Sequence, residues 1–120
     1  MTTLTALREK NCRRIDTAAT PFEIADYLKL VPRWELDGGV IICVFNFKNY
    51  YQTLAFTNAI AWMIHAQDHH PELTVTYNRC VVRYNTHSVN NGAGGITEND
   101  FICAAKIDAI FAQMLSPSQH

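Results

Sequence analysis

Segment 49–68 is the strongest constraint on how this 120-residue chain folds. Phe56, Ile60, Met63, Ile64 and Gln67 follow helical spacing, with Ile60 and Ile64 one turn apart. Leu54, Ala55, Ala59, Ala61 and Trp62 make the remaining circumference apolar too. A helix that is apolar most of the way round is usually covered on two sides. The chain is long enough for only one core, so one of those covers is expected to be a second copy of the chain. Pro71 disfavours the α conformation at His70, so the helix must stop by about that point.

Short elements flank this segment. Thr20 and Pro21 make a helix start, a hydroxyl N-cap followed by proline at the first helical position. Phe22, Ile24, Ala25, Leu28 and Val31 form its apolar face before Pro32 ends it. Trp34-Glu35-Leu36 reads as a strand, Asp37-Gly38-Gly39 as a tight turn, and residues 40–47 as the returning strand of a hairpin. Residues 73–77 and 80–86 read as two further strands, followed by a flexible loop over 88–95 that is rich in glycine and asparagine. Thr97 then caps a last helix reaching about Leu115, with Asp100 at the third helical position, where the helix dipole favours it. Cys103, Ile107, Ile110 and Met114 share one stripe of that helix. The order helix, two strands, helix, two strands, helix predicts an α+β fold. Its sheet has four mostly antiparallel strands, with helices packed on one face. The expected domain is 20–115, with 1–19 poorly ordered and 116–120 frayed.

Composition narrows the function. A net charge of -1 and the lack of any basic run argue against direct nucleic-acid binding. The first ten residues lack the apolar centre of a secretory signal, and no apolar stretch nears the roughly 20 residues of a membrane helix. Cys12, Cys43, Cys80 and Cys103 are scattered without a Cys-x-x-Cys pair, as expected for reduced thiols of a cytoplasmic protein.

Four of the five histidines, His65, His69, His70 and His87, fall within one short stretch. His65 and His69 are one helical turn apart, a spacing that zinc sites use, and His87 would complete a set of three. Yet Ala66 stands where a metalloprotease carries its glutamate, so no metal is expected. No Gly-x-Ser-x-Gly nucleophile turn occurs, and no Lys-Ser/Thr follows Gly92-Ala93-Gly94-Gly95 to make a phosphate loop. General acid–base work by imidazoles remains, since their pKa of about 6.5 suits proton transfer near neutrality. Val81, Arg83, Asn85 and His87 alternate to one face of the last strand, and Val82, Tyr84 and Thr86 to the other.

His65, the run His69-His70-Pro71, Tyr77, His87 and Asp100, at these spacings, resemble the signature of the pterin-4a-carbinolamine dehydratase family. Trp34, Phe45-Asn46-Phe47-Lys48 and Thr86-His87 agree with it, and the resemblance spans about residues 32–114. His65-Ala66 replaces the family's common Glu-Lys, and Leu73 its common Trp. The loop between His87 and Asp100 is longer than in the animal enzymes.

The resemblance implies loss of water from a 4a-hydroxytetrahydropterin, giving the quinonoid dihydropterin. That step belongs to pterin recycling for an aromatic amino-acid hydroxylase, and the pterin is substrate rather than cofactor. It assigns proton transfer to His69, His70 and His87. Asp100 would orient a histidine or the ring, His65 would tune the cluster, Trp34 would line the pocket, and Pro71 and Tyr77 would support substrate binding. It implies a homodimer or homotetramer. It also leaves two other roles open, dimerisation cofactor of a homeodomain transcription factor and divergent work in molybdenum-cofactor metabolism.

Overall fold

The computed structural model describes residues 2–115. Helix α2 (Pro21–Leu30) starts where Thr20 accepts the N–H of Glu23 and the Glu23 side chain returns the bond, a reciprocal cap. Strands β1 (Glu35–Asp37) and β2 (Val40–Asn46) form the first hairpin. Gly38 in its turn has φ +64, a conformation glycine adopts without a Cβ penalty. Helix α3 (Tyr50–Gln67) is capped by Asn49, β3 (Glu72–Thr76) and β4 (Arg79–Tyr84) form the second hairpin, and α4 (Glu98–Leu115) closes the domain. The sheet order is β1-β2-β4-β3 and every neighbouring pair is antiparallel. The α+β architecture expected from the sequence is therefore present. Among the described residues, no helix is long and apolar enough to cross a membrane.

One sheet face makes the core. Ile41, Cys43 and Phe45 of β2 and Cys80, Val82 and Tyr84 of β4 are buried with Phe56 and Ile60 of α3 and residues along α4. Phe45 lies at its centre, with ring centroids 4.8 Å from Phe56 and 4.9 Å from Phe111. Truncating so enclosed a ring to alanine costs about 3–5 kcal/mol.

Three expectations need correction. Residues 1–19 were expected to be poorly ordered, but helix α1 (Leu4–Glu9) folds there, capped by Thr3, with Leu7 fully buried. Six residues carry too little periodicity to be legible, and the helix is held by packing on α4. Phe22 and Ala25 do not face the core, because α2 turns Tyr27 inward beside the expected Ile24 and Leu28. The loop over 88–95 is anchored rather than loose: Val89 is fully buried, and Thr86 and Gly95 exchange backbone bonds of 2.7 and 3.0 Å. A Cβ on Gly95 would stand 2.9 Å from the Cβ of Ala18, so glycine alone permits this approach. The tail 116–120, expected to fray, lies outside the described residues.

Candidate functional site

Helix α3 ends on Asp68, whose φ of 52 and ψ of 41 place it in the left-handed region. Asp is among the few side chains that tolerate that conformation. Its N–H closes on the carbonyls of Ile64 and His65, and Pro71 then leads into β3. Between these two stops the side chains diverge, His69 turning partly inward and His70 staying exposed.

His69 meets a fully buried carboxylate. Its Nε2 lies 2.6 Å from Oδ1 of Asp100, and the other oxygen accepts the Thr97 N–H at 2.9 Å and the Thr86 hydroxyl at 3.0 Å. The Thr86 and Thr97 hydroxyls also pair, at 2.8 Å. Asp100 thus caps α4 and holds the imidazole at once. Because the carboxylate accepts, Nε2 carries the proton and Nδ1 is left to exchange one.

The ring stacks on Tyr84, with centroids 5.1 Å apart, and the Tyr84 hydroxyl donates to the His69 carbonyl at 2.9 Å. Burial holds that hydroxyl far above its ordinary range, so it stays a donor. Burial also works against a charge on His69, but the hydrogen bond and charge of Asp100 outweigh it and raise the imidazole above its ordinary 6.5.

A cavity of about 320 Å³ opens beside this pair, lined by His69, Thr86, Ser88, Gln67, Cys12 and Arg14 among others. That volume lies within the range of small-molecule sites. Its outer wall is a strap, residues 10–15, fastened to both long helices. Gln67 accepts the Cys12 N–H at 2.6 Å, while Asn99 accepts the Arg13 N–H and donates to the Arg13 carbonyl. Glu98 takes Lys10 at 2.8 Å, Arg13 at 2.6 Å and the Tyr27 hydroxyl at 3.0 Å. Burial alone would raise the Glu98 carboxyl, but these three partners bring it below the usual range. Burial and Glu98 together push Tyr27 up to about 12.

The other predicted residues are placed as follows. His87 is exposed, and neither it nor His70 lines the cavity, although each adjoins a residue that does. His65 is exposed and stacks on Trp62. Trp34 is buried, its Nε1 donating to Asp108 at 3.0 Å, and Asp108 lies about 12 Å along α4 from Asp100 at 1.5 Å per residue. Tyr77 is exposed and stacked on Tyr50, at the far end of β3 from His70. Five residues at about 3.3 Å each separate those ends. Pro71, half-buried, follows His70 and immediately precedes β3.

The structure therefore brings together His69 and Asp100, leaves His70 and His87 exposed outside the cavity lining, and sets Trp34, His65 and Tyr77 apart. Among the described residues, no three His, Cys, Asp or Glu side chains are grouped as metal ligands, so the trio His65, His69 and His87 is not assembled. Sequence reasoning missed Thr86, Thr97, Tyr84 and the strap as parts of the site. The Thr97-x-x-Asp100 spacing was the available signal, and it announced a cap alone.

A wider depression of about 510 Å³ on the first hairpin is lined by Arg33, Glu35, Asp37 and Cys43, but by no histidine. Of these two, only the smaller cavity has a histidine in its lining.

Comparison with known proteins points to one family. The family model for pterin 4 alpha carbinolamine dehydratase matches residues 17–110. A relative from Bdellovibrio bacteriovorus, named a pterin-4-alpha-carbinolamine dehydratase, is 56% identical over 120 residues, covering 100% of both chains. One of the same name from Nitrosospira multiformis is 48% identical over 113 residues, covering 92% of this chain and 96% of its own. The crystal structure of a transcriptional coactivator/pterin dehydratase from Brucella melitensis matches with a TM-score of 0.71 at 34% identity, covering 78% of this chain and 98% of that one.

Proposed function

The chain belongs to the pterin-4-alpha-carbinolamine dehydratase family, and from that premise we propose that it removes water from a 4a-hydroxytetrahydropterin in the cytoplasm, recycling pterin for an aromatic amino-acid hydroxylase. The supporting observation is the His69–Asp100 pair at the edge of a cavity of small-molecule size.

The reaction breaks the C4a–O bond. The departing hydroxyl takes a proton and leaves as water, while N5–H gives up its proton and its electron pair forms the N5=C4a double bond. The substrate is neutral, so one acid and one base suffice and no metal or cofactor is needed. His69 is held for this work: Asp100 fixes its tautomer and steadies its charged form. We assign the other proton to His70, next to His69 in the chain, and to His87, next to the Thr86 whose hydroxyl bonds Asp100. Pro71 follows His70 and leads the chain into β3. Trp34, His65 and Tyr77 lie away from the pair within one chain, and we assign them no step.

The test generates the 4a-hydroxy substrate in situ with an aromatic amino-acid hydroxylase and follows its decay by ultraviolet absorbance. Wild type, His69→Gln, His70→Ala and His87→Ala are compared with and without chelator. The expected result is acceleration that survives chelator and falls about 10²- to 10⁴-fold in the variants. Decay at the uncatalysed rate with wild type would overturn the reading.

One observation favours a second role. Tyr51 and Trp62 stand 83% and 77% exposed on α3, an aromatic surface that suits a second copy of the chain or a partner protein. A homodimer or homotetramer built on that helix is the simpler occupant.

A further inference from the structure

The dehydratase reading uses none of the four cysteines, yet two of them meet at its cavity. Cys12, on the strap, lines the cavity, and Cys103 is fully buried on α4. Their sulfurs are 3.5 Å apart although the residues are 91 positions apart in the chain. We propose that Cys12 and Cys103 form a reversible redox site, a dithiol that a low-molecular-weight disulfide such as glutathione disulfide converts into an intramolecular disulfide, fastening the strap over the His69 cavity.

Contact, access and selectivity all favour this pair. The sulfurs are already in hydrogen-bond contact, so closure needs only a short approach. Cys12 is half-buried and reachable from the cavity, whereas Cys43 and Cys80 are buried in the sheet. The Cys103 hydrogen bond draws the Cys12 thiol below its ordinary value, burial opposes this, and the nearby His69 assists it. Burial pushes Cys43 up to about 11 and raises Cys80 as well. The thiolate is the attacking species, so Cys12 reacts first.

Cys12 Sγ attacks one sulfur of the oxidant, its S–S bond breaks, and one low-molecular-weight thiol leaves. Cys103 Sγ then attacks Cys12 Sγ in the mixed disulfide. The second thiol leaves, taking up the Cys103 proton. The protein loses two hydrogens, and the oxidant is reduced to two thiols.

Mass, peptide linkage and Tm report this site, so it stands or falls apart from the dehydratase reading. The reduced full chain is incubated with glutathione disulfide at pH 8, quenched with acid, and analysed by intact mass and unreduced peptide mapping. The expected product has lost two hydrogens, contains a Cys12–Cys103 link, and leaves Cys43 and Cys80 as thiols. Its Tm rises by roughly 10 °C and dithiothreitol reverses the rise. Cys12→Ser should form no link. Cys103→Ala tests the buried partner, and if it does not fold the wild-type map decides alone. A chain that stays reduced, one that stops as a glutathione adduct on Cys12, or a link between other cysteines would overturn the proposal. A Cys12–Cys103 link without a rise in Tm would overturn the fastening of the strap.

Discussion

Helices α3 and α4 are equally long and pack on each other and on the same side of the sheet. Their burial differs sharply. Helix α4 is buried without a break from Glu98 to Ala105 and again at Ile107 and Phe111, whereas α3 buries only Thr53, Phe56 and Ile60. Apolar content does not explain this, since α3 carries Tyr51, Leu54 and Trp62 on its outer side. Placement does. Helix α4 has α1, α2 and the strap over it, while α3 is left uncovered on one side. The enclosed helix can therefore bury a charged first turn, because each polar atom there finds a partner. The open helix keeps apolar surface for an occupant from outside the chain.

The largest effect should come from the enclosed turn. Asp100→Ala leaves the Thr97 N–H and the Thr86 hydroxyl without their carboxylate acceptor, and frees His69. Urea unfolding should show a loss of about 3 kcal/mol. The pH dependence sharpens the point. His69 is raised in the folded chain, so its pairing stabilises fully below pH 6.5 and is lost as pH rises through the raised value. Tm of the wild type should fall across that window, and Asp100→Asn should flatten the decline.

A smaller effect is expected at the strap. Lys10 and Arg13 are largely solvated, so Glu98→Gln should cost only about 1 kcal/mol, and less at high salt. Glu98 is lowered in the folded chain, so its contribution is present above its ordinary 4.5 and disappears as pH falls through the folded value. Acid unfolding profiles of the variant and the wild type should converge at the acid end.

The smallest change in chain stability should follow Trp62→Ala on α3, within about 0.5 kcal/mol. The same change should shift sedimentation toward the monomer, if a second copy covers that face. Unaltered sedimentation would mean that the open side of α3 has some other occupant.

The features legible in advance were local ones. Thr20-Pro21, the Asp37-Gly38-Gly39 turn, Pro71 and Thr97 each set a boundary through neighbours a few residues away, and the strand and helix order followed from them. Long-range partnerships were opaque. Asp100 reads as a capping acid because Thr97 is three residues away, but its hold on His69 spans 31 positions. Family resemblance implies only that Asp100 orients a histidine or the ring, and the structure identifies His69 as its partner. Lys10 and Arg13 look like ordinary mixed surface charge until Glu98 is brought to them. The inward and outward turns of His69 and His70 depend on the backbone of Asp68, which no residue pattern announces.

The strap also bears on how the protein is made. Its bonds to Glu98, Asn99 and Cys103 join positions 85 to 91 residues apart. At a synthesis rate of about 5–20 residues per second, residues 10–15 are synthesised roughly 5–20 s before their partners. During that interval His69 can be present without Asp100, and the cavity has no outer wall. A nascent chain interrupted before residue 98 carries the histidines but none of the groups that hold His69 from α4, so the last helix to be translated completes the site.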